Sequence, residues 1–174
     1  MSARLLETYE PVVKANGLQT NKPAIFGGAV SFTGTFSPAS VTASGAITTS
    51  SPTAGIGYAT GAGEAVTQAT NRTTGVTLSK TTGTITTNNA SLAAEVAAEF
   101  TVTNTAVAVG DVVVVAIQSG TNGGNTAVIV STVGAGSFNL KVSNNNAAGG
   151  TVETGAILIH FAVIQAVCSW FAST

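Results

Sequence analysis

Between residues 65 and 165 the chain breaks into eight short strand-like runs separated by turn residues, and no stretch sustains a long helical period. The runs are 65–70, 75–78, 83–87, 99–104, 111–118, 126–133, 137–143 and 155–165. Short runs at this spacing argue for a β-sandwich or barrel, and the expected fold class is all-β, a β-sandwich of jelly-roll-like type. Ser137-Phe138-Asn139-Leu140-Lys141-Val142-Ser143 alternates strictly, which puts Phe138, Leu140 and Val142 on a buried face and turns Lys141 to water. Val112 to Ile117 is apolar on both faces, which predicts a central strand covered on each side, by the domain itself or by a neighbour.

Composition sharpens this reading. Asp, Glu, Lys and Arg make up 7% of the chain, against about a quarter in an ordinary soluble domain. None occurs between Pro23 and Gly63. Burial on several sides is the commonest cause of such scarcity, and threonine suits it, with a branched Cβ for the pleat and a hydroxyl for water or an interface. The expectation is a β-rich assembly subunit. Six dispersed basic residues (Arg4, Lys14, Lys22, Arg72, Lys80 and Lys141) and a net charge of −1 form no phosphate-neutralising patch, so nucleic acid is not an expected partner. The longest apolar run, Ala156 to Cys168, is interrupted by His160 and Gln165 and is too short to span a bilayer. No membrane partner is expected, and Met1 to Glu10 lacks an apolar leader core, which points to production in the cytoplasm. Cys168 is the only cysteine, so no intrachain disulfide forms and zinc spacings are absent.

A chain of 174 residues suits one domain with an appendage. Residues 1–24 read as an extended docking arm, because Pro11 and Pro23 exclude a long helix. Its apolar side chains Leu5, Leu6, Tyr9, Val12 and Val13, with Phe26 just beyond, are the candidate docking residues. Residues 25–54 form a Thr/Ser/Gly-rich segment in which Val30 to Phe36 is echoed eleven residues later by Val41 to Ile47. Each copy reads as a short strand with a Gly kink, and two such strands bury no core without a partner outside the segment. Residues 55–174 form the sandwich. Phe32, Phe36, Trp170 and Phe171 are the candidate subunit-interface anchors; the alternative for the last two is a tail folded back on its own domain. Ser91 to Glu99 reads either as two helical turns capped by Ser91 or as an Ala-rich connection along the sheet. Residues 120–125 and 144–150, rich in Gly and Asn, read as hairpin loops.

Chemistry-bearing patterns are sparse. Gly55 to Gly63 has neither the G-x-G-x-x-G spacing nor the Gly-Lys-Ser/Thr ending of a phosphate loop, so its glycines are expected to let an extended segment pass another backbone. A Ser-His-Asp set would need His160 and Asp111, the only residues of their types, and no G-x-S-x-G elbow nominates a serine. His160 shares a strand face with Leu158, Ala162 and Ile164, which predicts a satisfied, partly buried histidine. Glu95 and Glu99 would pair only on a helix. The sequons at Asn71 and Asn89 are expected to stay unmodified. No catalytic residue, cofactor or metal site is expected.

The run Ser51 to Gly63, followed by Val66-Thr-Gln68, Thr73 to Leu78, Gly83 to Thr86 and Phe100 to Asn104, resembles a group of virion structural proteins of tailed bacteriophages. Asp111 to Val115, Ala135 to Asn139 and Ile159 to Ile164 continue the likeness in the same order, so that it covers about residues 51–166. Proteins of this kind are head decoration or cement proteins, head fibres and tail fibre parts. The resemblance implies a β domain that assembles as a homotrimer on a virion surface, with no catalytic residues to carry over. Residues 1–50 lie outside it and are expected to set the point of attachment; the Cys168 to Phe171 extension departs from the usual ending near Val163-Ile164. The expected function is capsid decoration, with the major capsid protein as partner and the virion surface as location. Two rivals remain at this stage: a head or tail fibre binding host glycan through exposed aromatics such as Tyr58, and a virion hydrolase using His160, Asp111 or the Glu95/Glu99 pair.

Overall fold

Alternation of buried apolar and outward polar side chains governs β-strands such as Ala97–Thr103 and Ser137–Asn144. A computed structural model describes residues 38, 41–53 and 55–166, and the chain divides into two units, Met1–Thr48 and Thr49–Thr174. The described part of the first unit is exposed and contains no strand. Val41 to Ile47, expected as a strand, is therefore not one, because no ladder partner is available to it among the described residues; its echo Val30 to Phe36 lies outside them.

The second unit is all-β and contains no helix among its described residues. Its strands are β1 (Gly63–Thr67), β2 (Val76–Thr77), β3 (Thr82–Thr86), β4 (Ala97–Thr103), β5 (Val112–Ser119), β6 (Thr126–Gly134), β7 (Ser137–Asn144) and β8 (Leu158–Ile164). They form two four-stranded mixed sheets, ordered β1-β3-β8-β5 and β2-β4-β7-β6. In each sheet the first pair is parallel and the other two are antiparallel. All eight runs expected from sequence correspond to strands.

The sheets pack as a sandwich around one core. Ala98, Phe100 and Val102 of β4 and Phe138, Leu140 and Val142 of β7 point inward from one sheet; Ile85, Val113, Ile159, Phe161 and Val163 point inward from the other. Phe138 and Phe161 meet across the sandwich with ring centroids 5.3 Å apart and planes tilted by 57°. That offset geometry adds about 0.5–1.5 kcal/mol to the burial of the rings. Gly83 lets this packing close, since a Cβ there would stand 2.6 Å from Leu78 and 2.9 Å from the Phe161 ring. Lys141 faces water, as the alternation requires.

Three expectations need correction, and the open choice at Ser91 to Glu99 is decided for the connection. Among the described residues Val112 to Ile117 is an edge strand, β5, and not a central one, and its outward Val112 and Val114 are about half exposed. Ser91 to Glu99 is not helical: Leu92 bridges to Glu153, Glu95 turns at φ 63°, and β4 begins at Ala97. The Ala-rich stretch loses its helical option because Leu92 and Ala98 are drawn into the core by extended backbone. Residues 120–125 and 144–150 are not hairpin tips, since each carries the chain from one sheet to the other; the tight hairpin is β6–β7, closed by Gly136 at φ 73°. Within Gly55–Gly63 only Gly63 comes close to another backbone, that of Thr82, whereas Gly55, Gly57 and Gly61 have open space around them.

Candidate functional site

The two outer faces of the sandwich differ in chemistry. On the β2-β4-β7-β6 sheet, Glu99 accepts hydrogen bonds from Ser131 Oγ at 2.8 Å and Asn139 Nδ2 at 3.0 Å, and Thr101 Oγ1 donates to Asn139 Oδ1 at 2.9 Å. Glu99 also stands opposite Lys141 in the ladder. The hydrogen bonds from Ser131 and Asn139, with the Lys141 charge behind them, hold its carboxyl below the usual glutamate range. This is a solvated polar face.

Among the described residues, the opposite face presents no Asp, Glu, Lys or Arg at the outward positions of its strands. Its ladder rows are Gly63, Thr82, Ala162 and Val114, then Ala65, Thr84, His160 and Ala116, with Ile164 beside Val112 at one end. Val112, Val114 and Ile164 are 52, 50 and 57% exposed. Residues 56–58 lie beside Val114 and Ile164, and the Tyr58 hydroxyl donates to the Val163 carbonyl, one residue beyond the last β3–β8 pair. Ile56, Gly57, Tyr58, Val114, Ala162, Ile164 and Gln165 line an open hollow of about 630 Å³ with mostly apolar walls. A sheet normally hides its apolar face, yet β5 and β8 carry aliphatic residues on both of theirs.

His160 stands on this face and is exposed, contrary to the expected partial burial. Its strand parity was read correctly, but the face it shares with Leu158, Ala162 and Ile164 is the outward one. Asp111 is buried just before β5, where Oδ2 accepts from the Ala108 N–H at 2.9 Å and Oδ1 from the Ala166 N–H at 3.0 Å. It clamps the ends of β5 and β8. His160 pairs with Ala116, five residues along the strand from Asp111, roughly 16 Å at the rise of extended chain. Glu99 is on the far side of the sandwich, and Glu95 occupies a turn. The residues proposed for hydrolysis are therefore not brought together. Among the described residues no three His, Cys, Asp or Glu side chains cluster as a metal site would require, and no helix is long and apolar enough to cross a membrane.

A second cluster was not anticipated. Glu153 and Arg72 are buried beneath the loops joining the sheets. The Glu153 carboxylate accepts from the backbone N–H of Asn122 at 3.1 Å, Gly123 at 3.0 Å and Gly155 at 2.7 Å, and from Thr126 Oγ1 at 2.5 Å. Burial pushes its pKa up, but these hydrogen bonds outweigh it and hold the carboxyl below its ordinary value. Arg72 donates to the carbonyls of Ala90, Gly155 and Glu153 and to Thr87 Oγ1. Burial lowers its pKa, against the raising influence of Glu153. Every buried side-chain polar atom among the described residues is partnered, so the cluster is a structural lock. Nothing in the sequence around Glu153 signals it, because most of its partners are backbone N–H groups, two of them about thirty residues away, and its one side-chain partner, Thr126, is 27 residues away.

The candidate docking residues Leu5, Leu6, Tyr9, Val12, Val13 and Phe26, and the candidate interface residues Phe32, Phe36, Trp170 and Phe171, lie outside the described residues. None of the family models, curated proteins or solved structures compared with this chain matches it.

Proposed function

We propose that this chain is a capsid decoration, or cement, protein of a tailed bacteriophage: a jelly-roll-like β-sandwich that assembles as a homotrimer on the outer surface of the head. The observation that carries the reading is the unequal sandwich, with a hydrogen-bonded polar face on one sheet and an uncharged, valine-bearing face on the other. A free-standing domain gains nothing from leaving such a face in water, whereas an assembly subunit uses it. The scarcity of charge supports the same reading, because neutral hydroxyl and aliphatic interfaces avoid desolvating full charges.

In this reading the work is mechanical and no covalent chemistry is performed. The major capsid protein is the partner, and residues 1–24, extended by Phe26, form the arm that grips it. Binding to the assembled shell but not to free subunits stabilises the shell by mass action, about 2.7 kcal/mol per site at a hundredfold excess over Kd. Three linked arms multiply weak individual contacts. The test is co-sedimentation of the full chain with phage heads that lack it, beside the same assay with free capsid protein. The reading expects saturable binding to heads only, lost in a Leu5→Asp/Leu6→Asp variant. Absence of binding to heads, with binding instead to tail fibres or host polysaccharide, would replace it with the fibre reading.

A further inference from the structure

We propose that the uncharged outer face of β5 and β8, centred on Val114, Ala162 and Ile164 and flanked by Ile56 and Tyr58, is the surface through which copies of this chain pack together. The inference rests on the homotrimer of the proposed function and assigns its contact surface to described residues.

Three observations select a second copy as the occupant. The first is charge: no Asp, Glu, Lys or Arg projects from the outward positions of β1, β3, β8 and β5. Such a face offers nothing to a charged partner and is complementary to itself. The second is the edge. β5 reads VVVVAIQS, eight residues with no charge and no proline, so it lacks the side chains by which natural proteins blunt an exposed strand. The other edge of the same sheet, β1, carries Glu64. The third is area. Val112, Val114, Ile164, Ile56 and Tyr58 are each 48–75% exposed, a patch on the order of the about 300–600 Å² that monomers leave as their largest. Met by an equal patch on a neighbour, it buries about 600–1,200 Å² in all, a range that spans the about 1,000 Å² at which a biological contact begins. Around a three-fold axis the patches of three copies close on one apolar seam, with Thr82 and Thr84 at its hydroxyl margin.

Ile129 provides a matched control. It is 54% exposed, like Val114, but projects from β6 beside Lys141 on the polar sheet. The experiment is sedimentation velocity on the full chain at about 10 μM, with far-UV circular dichroism to report folding. The wild type is expected to sediment as a trimer, Val114→Glu and Ile164→Glu as folded monomers, and Ile129→Glu as the wild type. Should Val114→Glu fail to fold, the near-isosteric Val114→Thr decides, with an expected tenfold or greater weakening of assembly. A wild-type monomer, or a trimer that survives Val114→Glu, or Val114→Thr where Val114→Glu does not fold, would overturn the proposal. So would equal dissociation by Ile129→Glu. A trimer that ignores phage heads would refute the cement reading and leave this surface intact.

Discussion

Replacing Glu153 with glutamine tests whether a buried carboxylate holds the inter-sheet loops together. The side chain has no accessible surface, and its two oxygens receive three backbone N–H groups and the Thr126 hydroxyl. Glutamine keeps the shape but turns one acceptor oxygen into an amide donor. In the better orientation Asn122 and Gly123 stay on the remaining oxygen, where Thr126 also stays bonded, and the Gly155 N–H, which donates to the other oxygen at 2.7 Å, is orphaned. An unsatisfied buried donor costs about 1–3 kcal/mol, and the surviving bonds lose their charge assistance. The expected destabilisation is about 2–3 kcal/mol, or roughly 5–10 °C in Tm at about 2–4 °C per kcal/mol for a chain of this size. Thermal denaturation followed by circular dichroism at fixed protein concentration measures it. The pH dependence makes the test specific. Because the folded state lowers the Glu153 pKa, its stabilisation is present above the unfolded glutamate value of about 4.3 and fades as pH falls through the folded value. The gap between wild type and Glu153→Gln therefore shrinks below about pH 4. A gap under about 0.5 kcal/mol at pH 7, within the range of neutral surface changes, would refute the lock. A gap undiminished at pH 3 would refute its ionic character.

Other consequences follow from packing. Phe138→Ala removes a ring that is 1% exposed and spans the two sheets, and is expected to cost about 3–5 kcal/mol in urea denaturation. Gly155→Ala places a Cβ 1.8 Å from the Gly120 carbonyl oxygen; it is expected to abolish soluble folded protein or lower stability by more than about 3 kcal/mol, read by expression and circular dichroism. Tyr58→Phe removes the bond to the Val163 carbonyl and is expected to cost about 1 kcal/mol, with faster proteolysis of segment 55–58 as the readout.

The strands were legible because alternation is a local property: residues two apart share a face whatever lies across the sheet. Phe138, Leu140 and Val142 show this, and so does the shared face of His160 and Ile164. What alternation does not encode is which face another layer covers. Val112 to Ile117 is apolar on both sides, and its sequence fits a central strand and an edge strand with a docked neighbour equally well. Sheet order was likewise out of reach, since crossing from β5 to β6 and turning a hairpin demand the same Gly and Asn residues. The Glu153 and Arg72 lock stayed hidden because most of its partners are backbone groups, which carry no residue-type signature, and the two hydroxyls it uses, Thr87 and Thr126, are far from both residues in sequence. The candidate docking and anchor side chains were chosen by apolar character in segments outside the described residues, so they rest on sequence alone.

The most direct measurement of the central claim is a cryo-electron-microscopy map of the purified virion, searched for this sandwich on the head and along the tail. The account predicts trimeric density at capsid lattice positions, with the β5–β8 faces turned toward the three-fold axis and residues 1–24 reaching the shell. Density confined to the tail, or single copies with that face in solvent, would contradict it.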